Sequence, residues 1–131
     1  MNDRLRELYR GVAVHATADD EHRAALALLT LVMLADDEID DVEVEVVREI
    51  SEEWRGDDFP FEEHLRPAIE TARRAIENGR TIEFLDEIDA TINSRVLRSA
   101  LFSAARDVAG ADHEVTPAEG TILAEVAVRF D

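Results

Sequence analysis

Ala35-Asp36-Asp37-Glu38-Ile39-Asp40-Asp41-Val42-Glu43 and Ala111-Asp112-His113-Glu114-Val115-Thr116-Pro117-Ala118-Glu119 are the same phrase written twice. Both read Ala-Asp-x-Glu-[Ile/Val]-x-x-x-Glu, and their first residues lie 76 positions apart. Each copy follows an apolar run and precedes another run with apolar residues at helical spacing. The reading is a duplicated helix-loop-helix corner with an acidic loop. Two copies separated by 76 residues exclude a solenoid, which stacks three or more shorter repeats.

Outward from these corners the periodicity is helical throughout. Leu5, Leu8, Tyr9 and Val12 form the stripe of a first helix, weakened by Gly11. Thr17 to Asp20 provides turn and cap residues for a second, which runs to Ala35. Its apolar stretch from Ala24 to Ala35, interrupted by Thr30, is too short for a bilayer and reads as a helix buried on most sides. Val42, Val46, Val47, Ile50 and Trp54 mark a third helix, and Gly56 to Pro60 breaks it. A fourth carries Leu65, Ala68, Ile69, Ala72 and Ile76 and closes at Asn78-Gly79, where glycine suits a left-handed residue. Thr81 is expected to cap a fifth bearing Ile82, Leu85 and Ile88. After a turn at Asn93-Ser94, a sixth holds Val96, Leu97, Ala100, Leu101, Ala104 and Val108. Thr116-Pro117 opens a seventh with Ile122, Leu123, Val126, Ala127 and Phe130. No segment alternates well enough for a half-buried strand. The expected fold is all-α: a single compact domain over residues 1–131, of about seven helices.

Composition narrows function by exclusion. The chain has 131 residues, 46% of them hydrophobic, and a net charge of −17 from 31 acidic and 14 basic residues. Every basic residue is arginine. Such a surface repels phosphate, so nucleic acid and anionic membranes are poor partners. It suits cations or a protein with a basic patch, although acid also serves solubility alone. Without cysteine there is no disulfide, thiolate site or thiol nucleophile. The N-terminal segment lacks the apolar core of a signal peptide, so a cytoplasmic location is expected.

The two loops carry the only promising chemistry. Thr116-Pro117-Ala118-Glu119 spells a capping box: Thr116 accepts the Glu119 amide, Pro117 needs no donor, and Glu119 reaches back to the Thr116 amide. Asp40 to Glu43 has the same grammar. Asp40, Glu43, Thr116 and Glu119 therefore have structural roles first. Ile39 and Val115 stand where an apolar residue can staple onto Val44 or Gly120, the glycine making a poor partner. Asp36, Glu38, Asp112 and Glu114 are different. They lie past helix C-termini, where a carboxylate faces the negative end of the helix dipole. With Asp37 they form a place that welcomes a hard cation such as Ca²⁺, Mg²⁺ or Mn²⁺. It is not an EF-hand: counted from Asp36, the sixth position is Asp41 rather than glycine and the twelfth is Val47 rather than glutamate.

This doubled phrase, set after apolar helices, resembles the TerB-like domain, named for tellurite-resistance proteins. The resemblance spans about Ala24 to Phe130. It implies an all-helical domain whose two acidic loops meet about a pseudo-twofold axis, with links to metal binding and to stress-response or membrane-associated complexes rather than catalysis. Carried onto matching positions, the implied metal ligands are Asp36, Glu38 and Glu43 with Asp112, Glu114 and Glu119; Asp37, Asp40 and His113 are secondary. Asp37 and His113 replace the glycine usual after the first aspartate. Both residue types tolerate left-handed backbone, and His113 adds an imidazole to an otherwise oxygen-only set.

Other candidates are weaker. His15 and His22 read as surface residues. No His-x-x-x-His or Glu-x-x-His pair, Gly-x-Ser-x-Gly elbow or phosphate loop occurs. Trp54 and Phe59 read as a plug for the corner between the third and fourth helices, and the acidic band of Glu52-Glu53, Asp57-Asp58 and Glu62-Glu63 as a solvated face. With no nucleophile–base pair, no organic cofactor motif and loops that look exposed, the expectation is a non-enzymatic module. It binds a divalent metal in a stress-response context and has a protein partner, basic or membrane-associated. The alternative is an acidic protein-interaction module that needs no metal.

Overall fold

The structure, a computed structural model, describes residues 19–35, 39, 41–55, 59–111 and 115–130. Six helices account for them: α1 (Asp19–Met33), α2 (Asp41–Arg55), α3 (Phe61–Glu77), α4 (Thr81–Thr91), α5 (Arg95–Ala109) and α6 (Pro117–Phe130). They correspond to six of the seven helices read from periodicity; the first, around Leu5 to Val12, lies outside the described residues. No strand occurs among the described residues, and no helix there is long and apolar enough to cross a membrane.

The boundaries repeat as well as the motif. Shifted by 76 positions, α1 falls on α5 residue for residue, and α2 falls on α6 apart from its last residue. Burial follows the same register. Ala25, Leu28, Leu29, Val32 and Met33 are buried, and so are their counterparts Leu101, Ala104, Ala105, Val108 and Ala109. Glu43, Ile50 and Trp54 match Glu119, Val126 and Phe130 in the same way. Both first helices close with identical turns. The Leu34 and Ala35 amides donate to Thr30 and Val32 carbonyls, as those of Gly110 and Ala111 donate to Arg106 and Val108.

Packing obeys the exchange too. α1 packs on α2 and α6, α5 packs on α6 and α2, α1 and α5 pack on each other, and α2 and α6 do not meet among the described residues. Swapping the two halves maps this set of contacts onto itself, which is a pseudo-twofold arrangement. α3 and α4 break the symmetry: both cover α1, and neither packs on α5. α1 thus touches all five other helices. That explains its near-continuous apolar run, since Leu26, Leu31 and Leu34 are buried where their counterparts Phe102, Asp107 and Gly110 are only half-buried. Burying each such leucine contributes roughly 1.5–3 kcal/mol. Thr30, the polar residue within the run, is fully buried and donates its hydroxyl to the Leu26 carbonyl at 2.7 Å, so its burial leaves no donor unmet.

Two turns refine the reading. Gly79 has φ +67°, and the Arg80 amide reaches the Ala75 carbonyl at 2.8 Å, a Schellman closure of α3. The expected cap at Thr81 is corrected. Arg80 occupies the cap position with no side-chain bond, and Thr81 is the first residue of α4. The N-terminus of α4 instead gains order from the Schellman turn immediately before it.

Candidate functional site

α1 and α5 begin side by side. Glu21, in the first turn of α1, accepts the backbone amides of Asn93 and Ser94 through Oε2 at 2.9 and 3.0 Å, just ahead of α5. A carboxylate at a helix N-terminus satisfies orphan donors and meets the positive end of the dipole. Ser94 completes the start by accepting the Leu97 amide at 3.2 Å. Each helix runs 15 residues, about 22 Å, before its acidic segment follows. α2 then returns along α1, bringing Trp54 to 6.5 Å from the His22 ring, and α6 returns along α5, bringing Phe130 beneath Arg98. Both hairpins therefore have their C-terminal aromatic residue at the Glu21 end, and both acidic segments follow the far ends of the central pair.

Of the residues singled out as ligands, Asp36, Asp37, Glu38, Asp40, Asp112, His113 and Glu114 lie outside the described residues. Glu43 and Glu119 are described, at equivalent positions in the first turns of α2 and α6. They are 3% and 2% exposed, so both first-turn glutamates face inward. The cause is pattern: each stands four or seven residues from the core positions Val47 and Ile50, or Val126, on the inward stripe. Glu119 forms the capping box in full. Its Oε1 accepts the Thr116 amide at 3.0 Å, and its own amide donates to Thr116 Oγ1 at 3.1 Å. Pairing of this kind is what makes a buried carboxylate tolerable.

A hard cation fits this donor chemistry, because carboxylate oxygens dominate the set. The Thr116 bond occupies Glu119 Oε1, so ligation by Glu119 would draw on Oε2. No group of three or more acidic or histidine side chains placed for a metal occurs among the described residues, which include only two of the nine candidates. Flanking the acidic segments, Ile39, Val42 and Val115 are exposed at 36%, 49% and 54%. Neither Ile39 nor Val115 is sealed beneath its helix as a close staple would be.

Two readings of single residues change. His22 is not a surface residue. It is half-buried against Trp54, because the returning α2 brings its last turn onto the start of α1; His15 lies outside the described residues. The corner reading of Trp54 and Phe59 fits the packing, with Trp54 buried and Phe59 stacked on His64 at 4.7 Å. In the acidic band Glu62 and Glu63 are exposed, Glu52 and Glu53 half-buried, and Asp57 and Asp58 outside the described residues. Glu62 is not merely solvated. It binds Arg48, tying α3 to α2, and that contact is the main cause holding the Arg48 guanidinium above its ordinary pKa.

Sequence reasoning missed Arg98. Its guanidinium donates to the Asp89 and Ile92 carbonyls at 3.2 and 2.8 Å, to Asp89 Oδ1 at 2.6 Å and to the Arg129 carbonyl at 2.6 Å. Arg129 in turn binds Asp86 and Glu125, both at 2.8 Å, which raises its pKa. The available signal was an arginine one helical turn into an otherwise apolar stripe.

An all-helical fold built on a doubled acidic corner defines a class of small helical modules. The family described as tellurite resistance protein TerB matches residues 22–131, nearly the whole chain, and the protein belongs to that family. Neither a curated protein nor a solved structure matches it.

Proposed function

We propose that this TerB-family chain is a non-enzymatic module that holds a divalent cation, Ca²⁺, Mg²⁺ or Mn²⁺, between its two acidic segments, and that it works with a protein partner in a cytoplasmic stress response. The observation that carries the reading is the carry-over by 76 residues of the helix boundaries, to within one residue, and of the shared buried positions. Both acidic segments follow equivalent ends of helices that begin side by side, and each is followed in the next first turn by an inward-facing glutamate. Carboxylates grouped in this way repel one another, and a divalent ion relieves that repulsion while satisfying its own preference for oxygen. Titration of the chelated protein with each ion, followed by amide shifts, tests it. Shifts confined to residues 35–43 and 111–119, saturating below millimolar metal, support the proposal. Unchanged spectra at millimolar metal overturn it.

A second reading is favoured by Ile39, Val42 and Val115, which expose apolar surface beside the carboxylates. On that reading the same end of the molecule docks a basic protein, or a membrane-associated complex that presents one, without metal. Association that survives chelation and Asp36→Asn with Asp112→Asn, yet weakens with salt, distinguishes it.

A further inference from the structure

The pseudo-twofold arrangement provides an internal comparison at the end of the molecule opposite the acidic segments. In the second half the corner beneath Phe130 is filled by Arg98, whose guanidinium lies 4.5 Å from the ring centroid and is held by four acceptors of the protein itself. Its counterpart in the first half is His22, beside Trp54. Histidine is shorter than arginine and cannot span the same corner. What remains is a cleft of about 60 Å³, floored by Leu26 and Trp54 and walled by Phe59 stacked on His64. At about 10–15 Å³ per water-sized group this is room for about four to six heavy atoms.

Among the described lining residues the formal charge is opposite in sign to that of the molecule. Arg23 and Arg55 line it, with His22 and His64, and no carboxylate is among its described lining residues, in a chain of net charge −17. Arg55 also lies over the Phe59 ring at 5.4 Å, which places its charge against the aromatic wall. Asp20 approaches Arg23 only loosely, at 3.8 Å with both side chains largely exposed, and such a pair yields readily to a better acceptor. Ser51 adds a hydroxyl to the lining.

We propose that this cleft binds a short-chain monocarboxylate of about propionate size. The alkyl part lies against Leu26, Trp54 and Phe59, and the carboxylate meets Arg23 and Arg55. A guanidinium pairs with a carboxylate through two parallel hydrogen bonds, so two arginines at one small cleft select that group over a neutral or cationic head. The site is separate from the acidic segments and does not rest on the metal reading.

Trp54 is the one tryptophan of the chain, so its emission reports the cleft directly. Propionate is titrated into the chelated protein at constant ionic strength, with propanol and propylamine as neutral and cationic controls of the same size. The expected result is a saturable change in Trp54 emission with a midpoint at or below about 10 mM for propionate alone. The double change Arg23→Gln with Arg55→Gln, at exposed positions, should raise the midpoint about tenfold or more with unaltered circular dichroism. His22→Arg should abolish binding by filling the cleft as Arg98 fills its counterpart. A linear, unsaturable response to propionate overturns the proposal. So does an equal response to propylamine, or a midpoint unmoved by the double change.

Discussion

Arg98 lies over the Phe130 ring at 4.5 Å, and the pair occupies the place in the second half of the molecule that His22 and Trp54 occupy in the first. One contact is a hydrogen-bonded cation on an aromatic face, the other an edge-on meeting of two rings at 61°. The two halves thus share a frame and differ in what closes it. Arg98 also binds the carbonyls that end α4 and α6, and so ties three helices at one point.

Replacing Arg98 by alanine leaves the Asp89, Ile92 and Arg129 carbonyls without their donor and removes the cation over Phe130. Hydrogen bonds to a charged group contribute about 1.5–3 kcal/mol each when measured singly, and they are not additive here because one side chain makes them all. The expected loss is about 2–4 kcal/mol in urea unfolding of Arg98→Ala. Arg98→Lys, which keeps charge but not the planar fork, should lose about half as much. A loss under about 1 kcal/mol for alanine would show that water replaces the guanidinium without penalty.

Glu21 joins the starts of α1 and α5 across 72 and 73 residues of sequence. Glu21→Ala should cost about 1–2 kcal/mol, because two amides lose an acceptor and the α5 N-terminus loses a favourable charge. Glu21→Gln keeps an acceptor and should retain at least half of that stability. Amide exchange offers the sharper readout: Asn93 and Ser94 should lose protection in the alanine variant while α3 is unaffected.

At the second corner, capping and ligation can be separated. Thr116→Ala breaks one arm of the capping box and should cost about 1 kcal/mol. Glu119→Gln preserves the box, since glutamine also accepts from the Thr116 amide, and should change stability by less than about 0.5 kcal/mol. The same substitution removes a carboxylate from the proposed cation site and should weaken metal binding about tenfold or more. Unchanged metal affinity in Glu119→Gln would confine Glu119 to its capping role.

What the sequence made legible was local. Apolar spacing marked each helix now described, the doubled acidic phrase marked the corners, and Asn78-Gly79 marked the left-handed turn. The extension of the repeat over whole helices was hidden because few residues outside the corners are kept, Ala24 with Ala100 and Val32 with Val108 among them. Leu28 and Leu29 pair with Ala104 and Ala105, which preserve burial without preserving identity. Contacts between segments far apart in the chain left no such trace. Nothing around Glu21 points to Asn93, and nothing around His22 indicates that α2 returns to it. The ligand set was legible only as a cluster of carboxylates, of which the structure describes Glu43 and Glu119, both of them inward-facing.

Two glycines give predictions of opposite sign. Gly79 sits at φ +67°, where a side chain is strained although nothing lies within 4 Å of its would-be Cβ. Gly79→Ala should therefore destabilise by about 1 kcal/mol through backbone conformation alone, and Gly79→Asn by less. Gly120 lies in the first turns of α6, also has open space at its Cβ, and has no positive φ. Its counterpart 76 residues earlier is Val44, so the fold already accommodates a larger side chain at that position. Gly120→Ala should stabilise by about 0.5–1 kcal/mol, by lowering the entropy of the unfolded chain and raising helix propensity. Thermal unfolding of both variants decides the matter. If Gly120→Ala destabilises while Thr116→Ala behaves as expected, the backbone at the second acidic corner needs freedom that a capped helix start does not explain.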